Sequence, residues 1–317
     1  MNFLSVVRKR AILILIFIII FYVAFAIFYD ASQFFANVEK INYFFIPLIL
    51  LAFTASIMIK SLRQFLFLRH IGINIPLKQN ITLFFSGLAM LFTPAGMGEM
   101  IKSHFLAKRY DHPVPKTIPI VLVERYHDAL ALFSLIAIFA IIISADFLFF
   151  PLLVIGILLL VSLIIVRRKR TLQIIMNQIG RISFLKKIGD KSSEFNESLV
   201  SFSSKKILIS GWVFSLAAWS LDAFGIYLCF QAFELDFNFL LTTVIGFSSI
   251  LFGAISLIPG GIGITEVSFV ALLSLYDVDS SLSSSLALFF RLLSIWYATC
   301  LGIIAMRFIL KWNPIKQ

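Results

Sequence analysis

The chain has 317 residues, of which 60% are hydrophobic and 14% charged. A water-soluble domain carries roughly 25% charged residues, so this chain has too little charge to cover a water-facing surface and belongs in a bilayer. Its formal net charge of +11 does not call for a nucleic-acid partner, because in a membrane chain positive charge first reports orientation and contact with anionic lipid heads.

The elements follow in chain order. Ala11–Phe28 is free of charge and close to the roughly 20 apolar residues that cross a bilayer. It follows Arg8, Lys9 and Arg10, and no small-x-small cleavage pattern precedes Asp30, so it reads as a retained first transmembrane helix rather than a secretory signal. A second helix over residues 42–59 returns to Lys60, Arg63, Arg69 and Lys78. A third, over 120–144, starts beyond Lys108, Arg109 and Lys116, and a fourth, over 148–166, ends at Arg167-Arg168-Lys169-Arg170. The segment 167–206 carries ten Lys or Arg and reads as the main cytoplasmic loop. Its Phe184, Leu185, Ile188, Phe195 and Leu199 suit either an amphipathic helix lying on anionic lipid or a solvated linker. A fifth helix covers 207–230 and exits to Glu234 and Asp236; a last one covers 284–306 and ends at Arg307, Lys311 and Lys316. In this arrangement every basic residue except Lys40 and Arg291 is cytoplasmic or at that interface. The positive-inside bias then places both termini in the cytoplasm of a multi-pass protein of the plasma membrane.

Two regions fall outside these spans. Residues 80–110 begin and end on the cytoplasmic side, and their apolar piece Ile81–Phe92 stops at Thr93-Pro94. Residues 238–277 begin and end on the outer side and break at Ile258-Pro259-Gly260-Gly261. Each is expected to be a hairpin that enters the membrane and turns back, one from each face, as in inverted-repeat transporters. In the second region two full helices are the alternative. The fold expected is an all-α polytopic membrane protein, with about six spanning helices plus two oppositely oriented re-entrant hairpins, or about eight helices if the hairpins span. It forms one domain over residues 1–317, with a first half over 1–166, the basic loop over 167–206 and a second half over 207–317.

The two breaks read Pro94-Ala95-Gly96-Met97-Gly98-Glu99 and Pro259-Gly260-Gly261-Ile262-Gly263-Ile264-Thr265-Glu266. Both are Pro-x-Gly-x-Gly followed by an acid. Proline ends the incoming helix, and glycine supplies backbone forbidden to other residues. The next helix then starts with free N–H groups that suit an anion. Non-helical backbone at membrane depth survives where it is buried in protein or lines a wet cavity, so a polar cavity between the breaks is expected. One such motif alone would read as a packing kink; a near-copy in the other half favours function.

Glu99, Glu124, Arg125, Asp128, Asp222, Glu266 and Arg291 lie in or beside apolar segments. A charge at the bilayer centre costs about 2.5–3.5 kcal/mol on insertion scales, so these groups are expected to pair or to face a cavity. Glu99 and Lys102 share a helical face, as do Glu124 and Asp128; Glu266 is expected to pair with Arg291, and Glu99 with Arg125. The bland account of each pair is a salt bridge that holds the bundle. The four histidines, His70, His104, His112 and His127, have no ligand spacing and read as interfacial and solvated. Cys229 and Cys300 read as small buried apolar side chains with no metal or disulfide role.

At these residues the sequence resembles the flippase-like transmembrane domain of lysylphosphatidylglycerol synthases, the N-terminal membrane part of the multiple peptide resistance factor. The resemblance rests on Thr93-Pro94-x-Gly96-x-Gly98-Glu99-x-x-Lys102, Glu124-Arg125-x-x-Asp128, Pro259-Gly260-Gly261-x-Gly263-x-x-Glu266 and Arg291, and covers residues 10–308. It implies a translocase that moves a polar-headed lipid, an aminoacylated phosphatidylglycerol or a polyisoprenyl-phosphate-linked sugar, between leaflets. It also implies Glu99, Lys102, Glu124, Arg125, Asp128, Glu266 and Arg291 as the substrate-handling positions, with Pro94, Gly96, Gly98, Pro259, Gly260, Gly261 and Gly263 lining the cavity. Many members carry a basic residue just after the first proline, where this chain has Ala95 and Gly96. With the last helix ending close to Gln317, no synthase domain is expected. The partners expected are membrane lipids and a separate lipid-modifying synthase or glycosyltransferase; no metal or cofactor is expected.

A membrane enzyme acting on a lipid phosphate and an ion-coupled small-solute transporter are the competing readings. The sequence has no Gly-x-x-x-x-Gly-Lys-Ser/Thr run for ATP and no compact pair of histidines with a carboxylate, so the expectation is a transporter rather than an enzyme.

Overall fold

The computed structural model describes residues 31–93, 98–168 and 192–312, and in these it is helical with no strands. The expected first helix over 11–28, Pro94 and Gly96 of the first break, and Phe184, Leu185 and Ile188 of the basic loop lie outside the described residues. The described helices are α1 (Ala31–Glu39), α2 (Phe45–His70), α3 (Leu77–Leu88), α4 (Ile101–Tyr110), α5 (Val114–Ile142), α6 (Phe149–Arg167), α7 (Ser192–Ser201), α8 (Lys205–Ala232), α9 (Phe239–Ile255), α10 (Ile264–Ser274), α11 (Ser280–Arg291) and α12 (Tyr297–Ile309). A π turn over Leu292–Trp296 joins α11 to α12. Among the described residues five helices are long and apolar enough to cross a bilayer: α2, α5, α6, α8 and the continuous α11–α12. The chain is therefore an all-α, multi-pass membrane protein.

The remaining helices are too short to cross. At about 1.5 Å per residue, α3, α4 and α10 are roughly 15–18 Å long, against a hydrocarbon core of about 30 Å. They pair instead as hairpins, α3 with α4 and α9 with α10. Two apolar clusters give the bundle its two ends. One gathers Phe67 and Ile73 at the C-terminal end of α2, Leu83 of α3, Phe105 of α4, Ile118 of α5, Phe195 and Leu199 of α7 and Ile309 of α12. The other gathers Ile49 of α2, Ala140 of α5, Phe230 of α8, Val244 of α9, Leu273 of α10 and Leu286 of α11. The α3/α4 hairpin is thus rooted at the first end, where the basic residues concentrate, and the α9/α10 hairpin at the second.

The hairpin tips meet in the interior. Phe92, at the end of the first arm, packs with Ile262, Ile295 and Trp296, its ring centroid 4.9 Å from that of Trp296. The hairpins enter from opposite faces and touch, which favours the re-entrant reading over two further spans.

The same order of parts occurs twice: a long helix, a broken hairpin and a second long helix. α2, α3/α4 and α5 in the first half correspond to α8, α9/α10 and α11–α12 in the second. The packing exchanges accordingly, since α2 lies on α8, α12 lies on α3 and α9 lies on α5. Equivalent helices run in opposite directions, as an inverted repeat requires. Close approach of α12 to α3 depends on Gly302, where a Cβ would lie 2.2 Å from the Ala89 backbone nitrogen.

Four expectations need correcting. α2 does not stop near residue 59: it continues to His70, so Lys60 and Arg63 sit inside the bundle instead of on its cytoplasmic surface. Their charges do not end the helix because each faces an acid on a neighbouring helix. His127 is fully buried on α5 instead of solvated, its Nδ1 2.8 Å from the Val123 carbonyl and its ring edge seated over Gly211 of α8. Phe195 and Leu199 are neither solvated nor spread on lipid but buried in α7, which packs on α5. Cys229 is buried as expected, whereas Cys300 is exposed on the outside of α12.

Candidate functional site

The second break shows how the motif folds. α9 ends at Ile255 and Pro259 opens a short 3-10 turn over Pro259–Gly261; Gly260 and Gly263 adopt φ of 64° and 87°, a left-handed backbone that glycine takes without steric cost. Gly261 backs onto Gly253 of the incoming arm, whose own missing Cβ leaves room for the Thr265 hydroxyl. Glu266 closes the start of α10: its Oε2 accepts from the Gly263 N–H at 2.7 Å. The N-terminus that the sequence marks for an external anion is occupied by this carboxylate. Arg291 donates Nε to Glu266 Oε1 at 2.7 Å and Nη2 to the Gly260 carbonyl. One arginine thus ties both sides of the break to α11.

At the first break, the Gly98 N–H donates to Thr93 Oγ1 at 2.7 Å. Glu99 follows in a single helical turn and is fully buried. It takes Arg125 Nη2 at 3.1 Å and Lys102 Nζ at 3.2 Å. Lys102 reaches Glu124 Oε2 at 2.8 Å as well, its stem passing over Gly87, where a Cβ would lie 2.9 Å from Lys102 Cδ. Glu99 and Arg125 therefore stand to the first break as Glu266 and Arg291 stand to the second.

From Arg125 the network runs inward. Arg125 Nη2 lies 3.4 Å from Asp128 Oδ2, and Asp128 Oδ1 takes Arg63 Nη1 at 2.7 Å and the Trp219 Nε1–H at 3.1 Å. Arg63 also donates to the Ser215 hydroxyl. Beside these, Lys60 of α2 donates to Asp222 Oδ2 of α8 at 2.7 Å and lies 4.1 Å over the Trp219 ring. Lys60, Arg63, Lys102 and Arg125 are matched by Glu99, Glu124, Asp128 and Asp222, and Arg291 by Glu266. A bilayer interior demands that balance, since removing one partner of a buried pair strands the other and costs about 3–5 kcal/mol.

A cavity of about 200 Å³ lies where these elements converge. Its charged walls are Lys60, Arg125, Asp128, Asp222 and Arg291; Ser294 and Trp219 add polar edges, and the rest is apolar, from Ile57 and Leu88 to Ile250 and Ile295. Of the charged positions the sequence marks, Arg125, Asp128, Asp222 and Arg291 reach this cavity. Glu99, Lys102, Glu124 and Glu266 stand behind as fully or nearly fully buried partners. Arg125 is the most accessible charge of the network, its side chain 38% exposed against 0% for Arg63. A larger groove of about 740 Å³ between α5 and α6 is almost wholly apolar, lined by residues such as Leu130, Phe133, Leu152 and Leu160, and carries no comparable chemistry.

Lys60, Arg63 and Trp219 are the members of the site that the sequence reading missed. Its signal was present in part: Lys60 and Arg63 occur three apart beyond an apolar run and share a helical face. Two acids, Asp128 and Asp222, waited on apolar helices for cationic partners.

Comparison with known proteins places the chain among membrane proteins. A UPF0104 membrane protein of Pyrococcus horikoshii is 27% identical over 285 residues, covering 81% of this chain and 85% of that protein. One of Methanocaldococcus jannaschii is 25% identical over 242 residues, covering 71% of this chain and 94% of its own length. The profile described as the lysylphosphatidylglycerol synthase TM region matches residues 11–302, and the chain belongs to that family.

Proposed function

We propose that the protein is a lipid translocase that moves a lipid with a phosphate-bearing polar head between leaflets. The observation that carries this reading is the charged cavity set between two broken hairpins of opposite orientation. It offers Lys60, Arg125 and Arg291 to a phosphate, and charge-assisted bonds of this kind are the strong ones. The apolar remainder of its wall and the apolar α5/α6 groove suit hydrocarbon chains that stay in the bilayer during the transfer. The inverted relation of the two halves supplies equivalent inward-facing and outward-facing arrangements, as alternating access needs. The basic end of the bundle is the cytoplasmic one in this reading, the membrane is the plasma membrane, and a lipid-modifying synthase or glycosyltransferase supplies the substrate. The protein carries out no bond chemistry of its own.

The test is a leaflet assay on the purified protein in liposomes, using fluorescent phospholipids of varied head group and a membrane-impermeant quencher. Transfer of an anionic-headed lipid faster than in empty vesicles, and its loss in Arg125→Gln, is the expected result. No head group moving faster than in empty vesicles would sink the proposal. Release of inorganic phosphate or of a transferred group would point to a membrane enzyme instead.

A further inference from the structure

The cavity holds more charge than a substrate can meet without disturbing it. Every cation on its wall is already paired: Arg291 with Glu266, Arg125 with Glu99 and Asp128, and Lys60 with Asp222. A phosphate that binds there must displace an acid, and the acids are not equally held. Glu266 keeps a backbone N–H as well as its arginine. Asp128 has two arginines and an indole N–H, and Glu99 has a lysine and an arginine. Asp222 differs: among the described residues Lys60 is its one ion-pair partner, and the two side chains are 12% and 17% exposed where they line the cavity.

We infer that Asp222 is a proton-exchange site, at which an incoming lipid phosphate takes Lys60 and Asp222 is released as the neutral acid. This rests on the proposed translocation of a phosphate-headed lipid. The charges balance step by step. Before binding, the ammonium of Lys60 faces the carboxylate of Asp222. Afterwards it faces a phosphate oxygen, and a proton from water has bonded to Oδ2 of Asp222. The head group brings one negative charge and the proton one positive charge, so the membrane interior carries no added net charge. A carboxylate left unpaired in such surroundings takes a proton rather than remaining ionised.

The groups facing Asp222 agree with that course. α2 presents Lys60 and the hydroxyl of Ser56, and α5 presents Asp128 together with Arg125. α11 presents Arg291, and α3 and α9 present only apolar side chains to the cavity. Arg125 and Arg291 are committed to other carboxylates, and Asp128 is a like charge, so no second cation takes over when Lys60 is claimed. The lysine can also move. Its stem is flexible and its ammonium is a compact point charge, whereas Arg125 and Arg291 are each held at two positions. The exchange would couple transfer to the proton gradient, one proton travelling with each anionic head.

The experiment is calorimetric titration of the full-length protein in detergent with dioctanoyl phosphatidylglycerol, and in parallel with its deacylated head group glycerophosphoglycerol, a phosphodiester of the same single charge, in buffers of different ionisation enthalpy. The expected result is uptake of about one proton per lipid bound, so that affinity rises about tenfold for each unit fall in pH. Uptake with glycerophosphoglycerol too assigns the exchange to the phosphate alone; uptake with the lipid only assigns it to phosphate held by anchored chains. In Asp222→Asn the uptake should vanish and the pH slope flatten while binding persists, and Asp222→Glu should restore both. If Asp222→Asn does not fold, the pair Lys60→Met/Asp222→Asn, which strands no charge, should fold, bind weakly and take up no proton. Binding by the wild type without proton uptake, or with uptake unchanged in Asp222→Asn, overturns the exchange and leaves the translocase standing. No binding of either probe at any pH overturns both.

Discussion

Arg291 holds Glu266 through Nε at 2.7 Å while its Nη2 donates to the carbonyl of Gly260, so one guanidinium fixes both the break and the first turn of the helix that follows. Twenty-five residues separate the pair. In the first half Glu99 and Arg125, residues 99 and 125, stand almost the same distance apart and meet at 3.1 Å. Each hairpin is therefore pinned to the next long helix of its own half by an acid just after its break. The hairpin tips touch each other across the interior, so these two pins set where the breaks lie with respect to the cavity.

The second pin should be worth more as a pair than either member alone. Arg291→Met leaves the Glu266 carboxylate buried without its cation and the Gly260 carbonyl without its donor. A loss of about 3–5 kcal/mol is expected. Arg291→Met combined with Glu266→Gln removes both charges and should recover part of that loss. Unfolding in mixed detergent, followed by tryptophan fluorescence, reads the three variants directly. A double variant less stable than Arg291→Met would show that the pair is not closed as described.

Arg63 and Arg125 share Asp128 but should answer differently to substitution. Arg63 is completely buried and its guanidinium ends on Asp128 and Ser215, so Arg63→Met should destabilise the fold by about 3–5 kcal/mol. Arg125 opens on the cavity, and its partners Glu99 and Asp128 each retain another cation. Arg125→Gln should shift the melting temperature less than Arg63→Met and yet abolish lipid transfer in the liposome assay. Equal thermal shifts, with transfer intact in Arg125→Gln, would reverse the roles given to the two arginines.

Much of this was legible in the sequence because membrane insertion makes charge expensive. An acid or a base inside an apolar run has to be paired, and on that ground alone Glu99 with Arg125 and Glu266 with Arg291 were two of the expected pairs. The Pro-x-Gly-x-Gly repeat likewise marks where helix must stop. Lys60 and Arg63 were hidden by the same reasoning, since a lysine after an apolar run reads as the end of a span. Only the arrival of Asp222, 162 residues away, and Asp128, 65 residues away, keeps them inside. The π turn over Leu292–Trp296 has no proline or glycine to announce it. It arises where α11 passes the second break, a tertiary relation that no local pattern carries.

The packing of α12 against α3 gives a sharper steric test. A Cβ at Gly302 would meet the backbone nitrogen of Ala89 at 2.2 Å and the Leu88 carbonyl carbon at 2.6 Å. Backbone atoms cannot rotate aside as a side chain can, so the helices must part. Gly302→Ala should cost about 1–3 kcal/mol by overpacking, and Gly302→Val more. Because α3 carries the first hairpin, lipid transfer should fall with stability. Chemical unfolding in detergent checks the first effect, and a stable, fully active Gly302→Val would place the two helices further apart than described.

The contact between the hairpin tips can be isolated by a double-mutant cycle. At Gly260 a Cβ would lie 2.5 Å from Phe92 Cδ1, and the backbone there has a φ of +64°. Gly260→Ala therefore meets two separate penalties: about 1–2 kcal/mol for a left-handed backbone and about 1–3 kcal/mol for crowding the ring. Phe92→Ala removes the ring and, by opening a hole beside Ile262 and Trp296, costs about 3–5 kcal/mol by itself. In that background Gly260→Ala should pay only the backbone part, so the two substitutions together cost less than their sum by about 1–3 kcal/mol. Strict additivity would mean that Phe92 does not reach the second break, and with that the meeting of two hairpins from opposite faces would lose its support.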